Sequence, residues 1–177
     1  DDDDEIEKLA AIIQSNNQIR QQIQEQVFSE ADQIAKEKFL KNPKKSSLVL
    51  YSKDWHPGVL GIIASRIVKQ YGVPCAILSS KNSVAKGSLR TSNSLNLYKV
   101  LEECSDLLIQ FGGHSAAAGV TLQEDKIEFF ENRFEEIISN HDFITGETIE
   151  IDSLIELSEI NISFLSDIVK MEPFGKG

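Results

Sequence analysis

Three short stretches of this chain carry residue types that hold anions. The first, Phe111-Gly-Gly-His-Ser-Ala-Ala-Ala-Gly119, sets two glycines beside a histidine and follows them with small residues. Glycines let a backbone approach a ligand closely and leave N–H groups open, so Gly112, Gly113 and His114 suit a phosphate. The same residues also make an ordinary tight helix-to-strand turn with a surface histidine. The second stretch is Lys86-Gly-Ser-Leu-Arg-Thr-Ser92. Alternation along a strand puts Lys86, Ser88 and Arg90 on one face, two cations around a hydroxyl, and an arginine grips a phosphate with two parallel donors. The alternative is the solvated face of an edge strand. In the third, Trp55-His-Pro-Gly-Val-Leu-Gly-Ile-Ile-Ala-Ser-Arg66, Pro57 fits an early helical position and Gly61 and Ala64 permit close packing. His56 there either reaches a ligand from the end of a strand or caps the helix.

Other chemistries find no residues. The histidines are His56, His114 and His141, and apart from the terminal Asp1 to Asp4 run no D-x-D, D-H-H or H-x-x-x-H spacing exists to gather a metal ion. No metal site is therefore expected within the chain. P-loop, G-x-S-x-G and G-x-G-x-x-G patterns are missing too, which removes nucleotide hydrolysis, serine esterase and dinucleotide-binding readings. Cys75 and Cys104 stand far apart with no C-x-x-C, and are read as small core residues. No apolar run approaches the roughly 20 residues of a membrane span, and no signal stretch opens the chain, so a cytoplasmic location is expected.

The net charge of −10 over 177 residues argues against a nucleic-acid partner until its distribution is examined. Residues 47 to 122 carry 7 basic and 4 acidic groups, a net +3, whereas residues 123 to 177 carry 4 and 14, a net −10. The middle, which contains all three stretches, is the part that attracts anions, although an excess of this size also arises by ordinary scatter.

The elements that must position these residues follow from periodicity. From Glu5 to about Leu40 there is no Gly or Pro, and apolar residues recur mostly at steps of three and four. This predicts one long helix, stopped at Asn42-Pro43, of about 50 Å at 1.5 Å per residue. That exceeds what a domain of this size needs for its own core, so it reads as a connector over residues 1–44, with a packed helix or coiled-coil arm as the alternative. Then Ser47 to Ser52 reads as a strand, Gly58 to Tyr71 as a helix ended by Gly72, and Val73 to Ser79 as a strand, a β-α-β unit. A strand at Val84 to Thr91, a helix at Leu97 to Leu108, a glycine turn at 112–113, a strand at Gly119 to Leu122 and a helix at Glu124 to Ser139 complete a domain over 45–142. The expected fold class is α/β (α+β), a mixed β-sheet flanked by helices and preceded by the connector. The acidic remainder, 143–177, is strand-like at Glu147 to Ile151 and helical at Ile160 to Val169, and reads as the start of a further domain.

Taken together, W-H-P-G-V-L-G-I-I-A-S-R, K-G-S-L-R-T and F-G-G-H-S-A-A-A-G resemble the DHH-associated domain of the RecJ-type single-strand-specific exonucleases, members of the DHH phosphoesterases. The resemblance runs over about residues 5 to 177. The leading helix looks like that family's interdomain connector, and the closing M-E-P-F-G-K-G looks like the opening of its oligonucleotide-binding barrel. The resemblance implies a 5′-to-3′ exonuclease of DNA repair and recombination. Its Mn or Mg ions would be held by an N-terminal catalytic domain lying outside these residues, which leaves no cofactor in this fragment and no activity of its own. It further implies that Ser88 and Arg90 bind phosphate near the 5′ end, with Lys86, Thr91 and His56 in the same substrate-binding set. Gly112 and Gly113 would offer N–H groups, and His114 would hydrogen-bond the phosphate being cleaved. Leu89 and Thr91 stand where the family often has Gly or Ala and Ser. The expected partners are single-stranded DNA and the catalytic domain in cis, with no membrane and a monomeric state. The alternatives are a DHH phosphodiesterase for short oligonucleotides or cyclic dinucleotides, and a non-catalytic nucleic-acid-binding domain.

Overall fold

Residues 48–51 and 75–81 put apolar side chains on both faces of one sheet, whereas 84–90 and 117–123 alternate and send theirs to one face only. Helices cover the first part on both sides and the second on its apolar side, leaving the other side of the second part open. The structure, a computed structural model, describes residues 2–92, 95–140 and 153–172, with side chains from residue 5 onward. The elements run α1 (Asp2–Lys41), β1 (Leu48–Tyr51), α2 (Leu60–Tyr71), β2 (Cys75–Lys81), β3 (Val84–Arg90), α3 (Leu97–Glu103), β4 (Gln110–Gly113), β5 (Ala117–Gln123), α4 (Ile127–Ser139) and α5 (Ile162–Val169). The five strands form one sheet in the order β1-β2-β3-β5-β4, with β1 and β2 parallel and the other pairs antiparallel. The mixed sheet and the β-α-β start agree with the sequence expectation.

Leu48, Leu50, Cys75 and Ile77 pack on one face with Leu60, Ile63 and Ile67 of α2 and Val27, Ala31 and Ala35 of α1. Val49, Ala76, Leu78, Ala85 and Leu89 pack on the other with Leu97 and Leu101 of α3 and Phe130, Phe134 and Ile138 of α4. Both cysteines are fully buried, as expected, and burial pushes the Cys75 thiol far up and that of Cys104 up to about 12, so neither is a ready nucleophile.

The long helix is present, and its two halves differ. From Ile23 onward it is tied to α2: Arg66 forks onto Glu25 (2.7 and 3.2 Å) and lies 3.7 Å over the Phe28 ring, Trp55 Nε1 donates to Glu30 (2.8 Å), and Phe39 stacks on Tyr71. Ile6, Leu9, Ile12, Ile13 and Ile19 of the first half are exposed. The end of α1 and the start of β1 are clamped to α4, where Glu131 accepts from Lys38 and pairs with Lys45, and Glu135 accepts from the N–H groups of Ser46 and Ser47 (2.7 and 2.9 Å).

Some boundaries differ from the sequence expectation, each for a local reason. The helix expected from Gly58 begins as a 3₁₀ turn, Pro57–Val59, capped by His56, because Pro57 cannot donate. The helix expected to run to Leu108 stops at Glu103 and continues as a 3₁₀ turn, Ser105–Leu107. Gly112 and Gly113 are not a turn; they end strand β4, and the reversal falls on Ser115 and Ala116. The strand expected at 147–151 lies outside the described residues. The chain divides into a unit of residues 1–147 and a second of 148–177. In the second, Asn161 caps α5 by accepting from Phe164 N–H (3.0 Å), and Glu156 and Glu159 form a reciprocal capping box.

Candidate nucleic-acid interface

Antiparallel pairing holds opposite residues on the same face, so the ladders of β3, β5 and β4 align the candidate side chains into rows. Arg90 pairs with Ala117, and Ala117 receives the His114 N–H on its carbonyl (2.8 Å), which puts Arg90, Ala117 and His114 in one row. Ser88, Gly119 and Gly112 make the next row, and Lys86, Thr121 and Gln110 the one after. Strands lie about 4.8 Å apart, so the Cα atoms of Arg90 and His114 are about 10 Å apart across a single alanine. All these rows are on the face that α2 covers over β1 and β2. Leu89, between them in sequence, is buried in the opposite core.

The floor between the two donors has almost no side chains. A Cβ at Gly112 would meet nothing within 4 Å, and one at Gly119 would meet only the Gly87 carbonyl at 3.7 Å. The result is a shallow trough bordered by Lys86, Gln110, Gly112, Gly119 and Thr121. Glycine is also required at 113 by conformation. Its φ is +145°, and a Cβ there would lie 2.4 Å from the Ala117 carbonyl oxygen.

Each donor is set by its neighbours. Arg90 donates from Nη1 to the Leu89 carbonyl (2.8 Å), and its Nη2 rests over α2 where Gly61 has no side chain; a Cβ at Gly61 would be 2.8 Å away. His114 is exposed and its Nδ1 accepts from the Ala116 N–H (3.4 Å). With Nδ1 committed as an acceptor, Nε2 carries the proton and is free to donate. His114 N–H bonds to Ala117, so ladder alternation turns the Gly112 N–H toward β5 and the Gly113 N–H to the open edge of the sheet. Among the described residues Lys86 and Arg90 enter no ion pair.

The structure therefore brings Lys86, Ser88, Arg90, Gly112 and His114 to one surface, while Gly113 falls in the row of Leu89 and Ala118 on the opposite face and offers only its edge-directed N–H. It does not bring His56 or Thr91 there in the same way. His56 caps the 3₁₀ turn, its Nδ1 accepting from Gly58 N–H (3.1 Å). Thr91 follows β3 on the alternation of Leu89, and its N–H binds the Ala116 carbonyl (3.2 Å), fixing the hairpin that carries His114 beside Arg90. Residues the sequence did not mark as part of the site are Ala117 and Gly119, which make the floor, and Gly61 as the seat of the guanidinium. Among the described residues no group of three His, Cys, Asp or Glu side chains is placed to hold a metal ion, and no helix is long and apolar enough to cross a membrane.

Residues 44–140, which hold the five-stranded mixed sheet, the glycine-histidine hairpin and the Lys-x-Ser-x-Arg strand beside it, match the DHHA1 domain. The chain belongs to the DHHA1 domain family. Its similarity extends beyond the domain: it is 33% identical to the single-stranded-DNA-specific exonuclease RecJ of Bacillus subtilis over 99% of this chain and 22% of that protein. Among solved structures it is similar to RecJ of Thermus thermophilus in complex with Mg²⁺, with TM-score 0.69 and 27% identity over 88% of this chain and 24% of that one. It is also similar to an exonuclease RecJ bound to manganese, with TM-score 0.59 and 28% identity over 69% of this chain and 29% of that one. The chain thus spans between about a fifth and a third of the length of these relatives.

Proposed function

We propose that this chain is the substrate-gripping portion of a single-strand-specific 5′ exonuclease that hydrolyses phosphodiesters in DNA repair and recombination. The observation that carries the reading is the shared row of Arg90 and His114 over a floor of Ala117, Gly112 and Gly119. A strand resting on that floor meets a permanent positive charge at one phosphate and a histidine Nε2–H at the next. As water adds to phosphorus, negative charge builds on the non-bridging oxygens, so donors fixed around them stabilise the transition state more than the ground state. Arg90 and Ser88 hold the phosphate near the 5′ end, His114 supports the one being cleaved, and the outward Gly113 N–H adds a neutral donor.

Among the described residues no group fits a metal site, and this reading assigns the metal ions of such a reaction to another part of a longer protein. The 1–44 helix, the 45–142 domain and the 143–177 segment then act as connector, grip and start of a further substrate-binding domain. The test is preference for a 5′ phosphate. In the full-length protein, Arg90→Ala should raise KM for 5′-phosphorylated single strands while leaving the 5′-hydroxyl strand almost unchanged. The isolated chain with Mn²⁺ should release no mononucleotides. Undiminished preference in Arg90→Ala would contradict the assignment.

A further inference from the structure

The trough does not end at Lys86. On the other side of that side chain lies a cleft lined by Lys53, Trp55, Pro57, Ser79, Ser80, Lys81, Asn82, Val84 and Lys86, so one lysine forms a wall of both. The β2–β3 ladder pairs Ser79 with Lys86 and Lys81 with Val84, which puts Ser79, Lys81 and Lys86 on the same face as Ser88 and Arg90. Three features of the cleft suit an anion. Ser79 is only 5% exposed, and its hydroxyl, which enters no hydrogen bond among the described residues, reaches the solvent of the cleft it lines. Lys81 and Lys86 enter no ion pair there, while Lys53 is already engaged by Glu124 at 2.7 Å. The hairpin that seats Asn82 at the mouth holds Asn82 and Ser83 at φ +54° and +61°, a tight two-residue reversal that keeps the ends of β2 and β3 beside each other.

From Arg90 to Lys86 is four residues of strand, about 13 Å at 3.3 Å per residue. Neighbouring phosphates of a single strand, separated by one sugar, do not span that distance, so the cleft serves a phosphate further along than the one held by Arg90. We propose that Ser79, Lys81 and Lys86, with the Asn82 side chain at the mouth, form a second phosphodiester subsite, which holds the backbone of a bound strand some two or more nucleotides from the reacting end. The inference rests on the functional reading above and adds to it a length-sensing contact. The Ser79 hydroxyl donates to a non-bridging oxygen, and the two ammonium groups neutralise its charge. The same chemistry would also suit the phosphate of a released mononucleotide, and substrates of different length separate the two sources.

The experiment uses the full-length protein, with Lys81→Gln, which is at the surface and does not threaten folding, and Ser79→Ala, a near-isosteric change. For a 5′-phosphorylated 12-mer, each variant should lower kcat/KM roughly threefold to tenfold at low salt. The slope of log affinity against log salt should fall by about 0.7 for Lys81→Gln, the loss of one phosphate contact with a single strand. The inhibition constant of a 5′-phosphorylated dinucleotide, too short to reach the cleft, should stay within twofold. Equal losses for the dinucleotide and the 12-mer would overturn the proposal, because the cleft would then act at the reacting end. So would an unchanged 12-mer, or a change confined to inhibition by a mononucleotide, which would make the cleft a product site. Failure of the underlying functional reading looks different: Arg90→Ala would leave dinucleotide inhibition intact.

Discussion

Gly61 offers the sharpest perturbation of the grip without touching it. A Cβ added there would stand 2.8 Å from Arg90 Nη2, 3.5 Å from Cζ and 3.6 Å from Ser88 Oγ. The helix backbone of α2 is held by the buried Leu60, Ile63 and Ala64, so the guanidinium is what moves. A shift of even a few tenths of an ångström misaligns a two-donor fork. Loss of one charge-assisted hydrogen bond costs about 1.5–3 kcal/mol, or roughly tenfold to a hundredfold in affinity. The flexible arginine will recover part of this, so the expected effect of Gly61→Ala is about a tenfold rise in KM for 5′-phosphorylated single strands. Folding should move the other way. Gly61 has no positive φ, and replacing a helical glycine by alanine at a compatible site stabilises by about 0.4–1 kcal/mol. Steady-state kinetics with 5′-phosphate and 5′-hydroxyl strands, beside a thermal melt, should therefore show weaker binding in a protein at least as stable. In an Arg90→Ala background Gly61→Ala should cost nothing further. Unchanged affinity, or the same loss in both backgrounds, would refute the reasoning.

The two hairpin glycines should separate cleanly. Gly113→Ala, strained at φ +145° and facing the Ala117 carbonyl at 2.4 Å, should destabilise by about 1–3 kcal/mol in urea unfolding, whereas Gly112→Ala should fold normally. The α1–α2 contact should respond to pH at both ends. Hydrogen bonds from Lys36 and then Tyr71 hold the Asp32 carboxyl below its ordinary range, and burial, then Asp32, pushes Tyr71 up to about 12. Asp32 thus adds stability above the unfolded carboxylate range that disappears as pH falls through its lowered value. Tyr71 adds stability that is complete below pH 10 and is lost as pH rises toward about 12. In chemical unfolding monitored across pH, Tyr71→Phe should remove the alkaline loss between those values.

How much of this was visible in the residues alone depends on whether a feature is local. The helix from Asp2 to Lys41, the β-α-β unit and α4 follow from periodicity within single segments, and structure and sequence agree there to within a few residues. The Lys86, Ser88 and Arg90 face is likewise local, since alternation along one strand defines it. Cross-strand register is not. Nothing in the spacing says that Arg90 lies opposite Ala117 and that Ala117 lies opposite His114, because that alignment is set by the Ser115-Ala116 reversal and by the pairing of β3 with β5. For the same reason Gly112 and Gly113 read as a turn; a four-residue edge strand containing two glycines gives almost no alternation to detect. The seat of the Arg90 guanidinium on Gly61 and the junction of trough and cleft at Lys86 join segments far apart in sequence, and packing alone brings them together. The cap by His56 was legible as one of two readings, since a residue before Pro-Gly at a helix start is well placed to accept from the first free N–H groups.

The central claim is that Arg90 and His114 act on one strand from two sides of the same floor. It is tested most directly by a double-mutant cycle in the full-length protein, with kcat and KM measured for Arg90→Ala, His114→Ala and the pair on a 5′-phosphorylated single strand, and with circular dichroism to verify folding. Arg90→Ala should act chiefly on KM. His114→Ala should lower kcat on the order of 10²-fold, as loss of one donor to a developing oxyanion does. The double mutant should lose less than the product of the two single effects, because two donors that position adjacent phosphates of one strand over the same floor are not independent. A folded His114→Ala protein with near-normal kcat, or strictly multiplicative losses, would contradict the account.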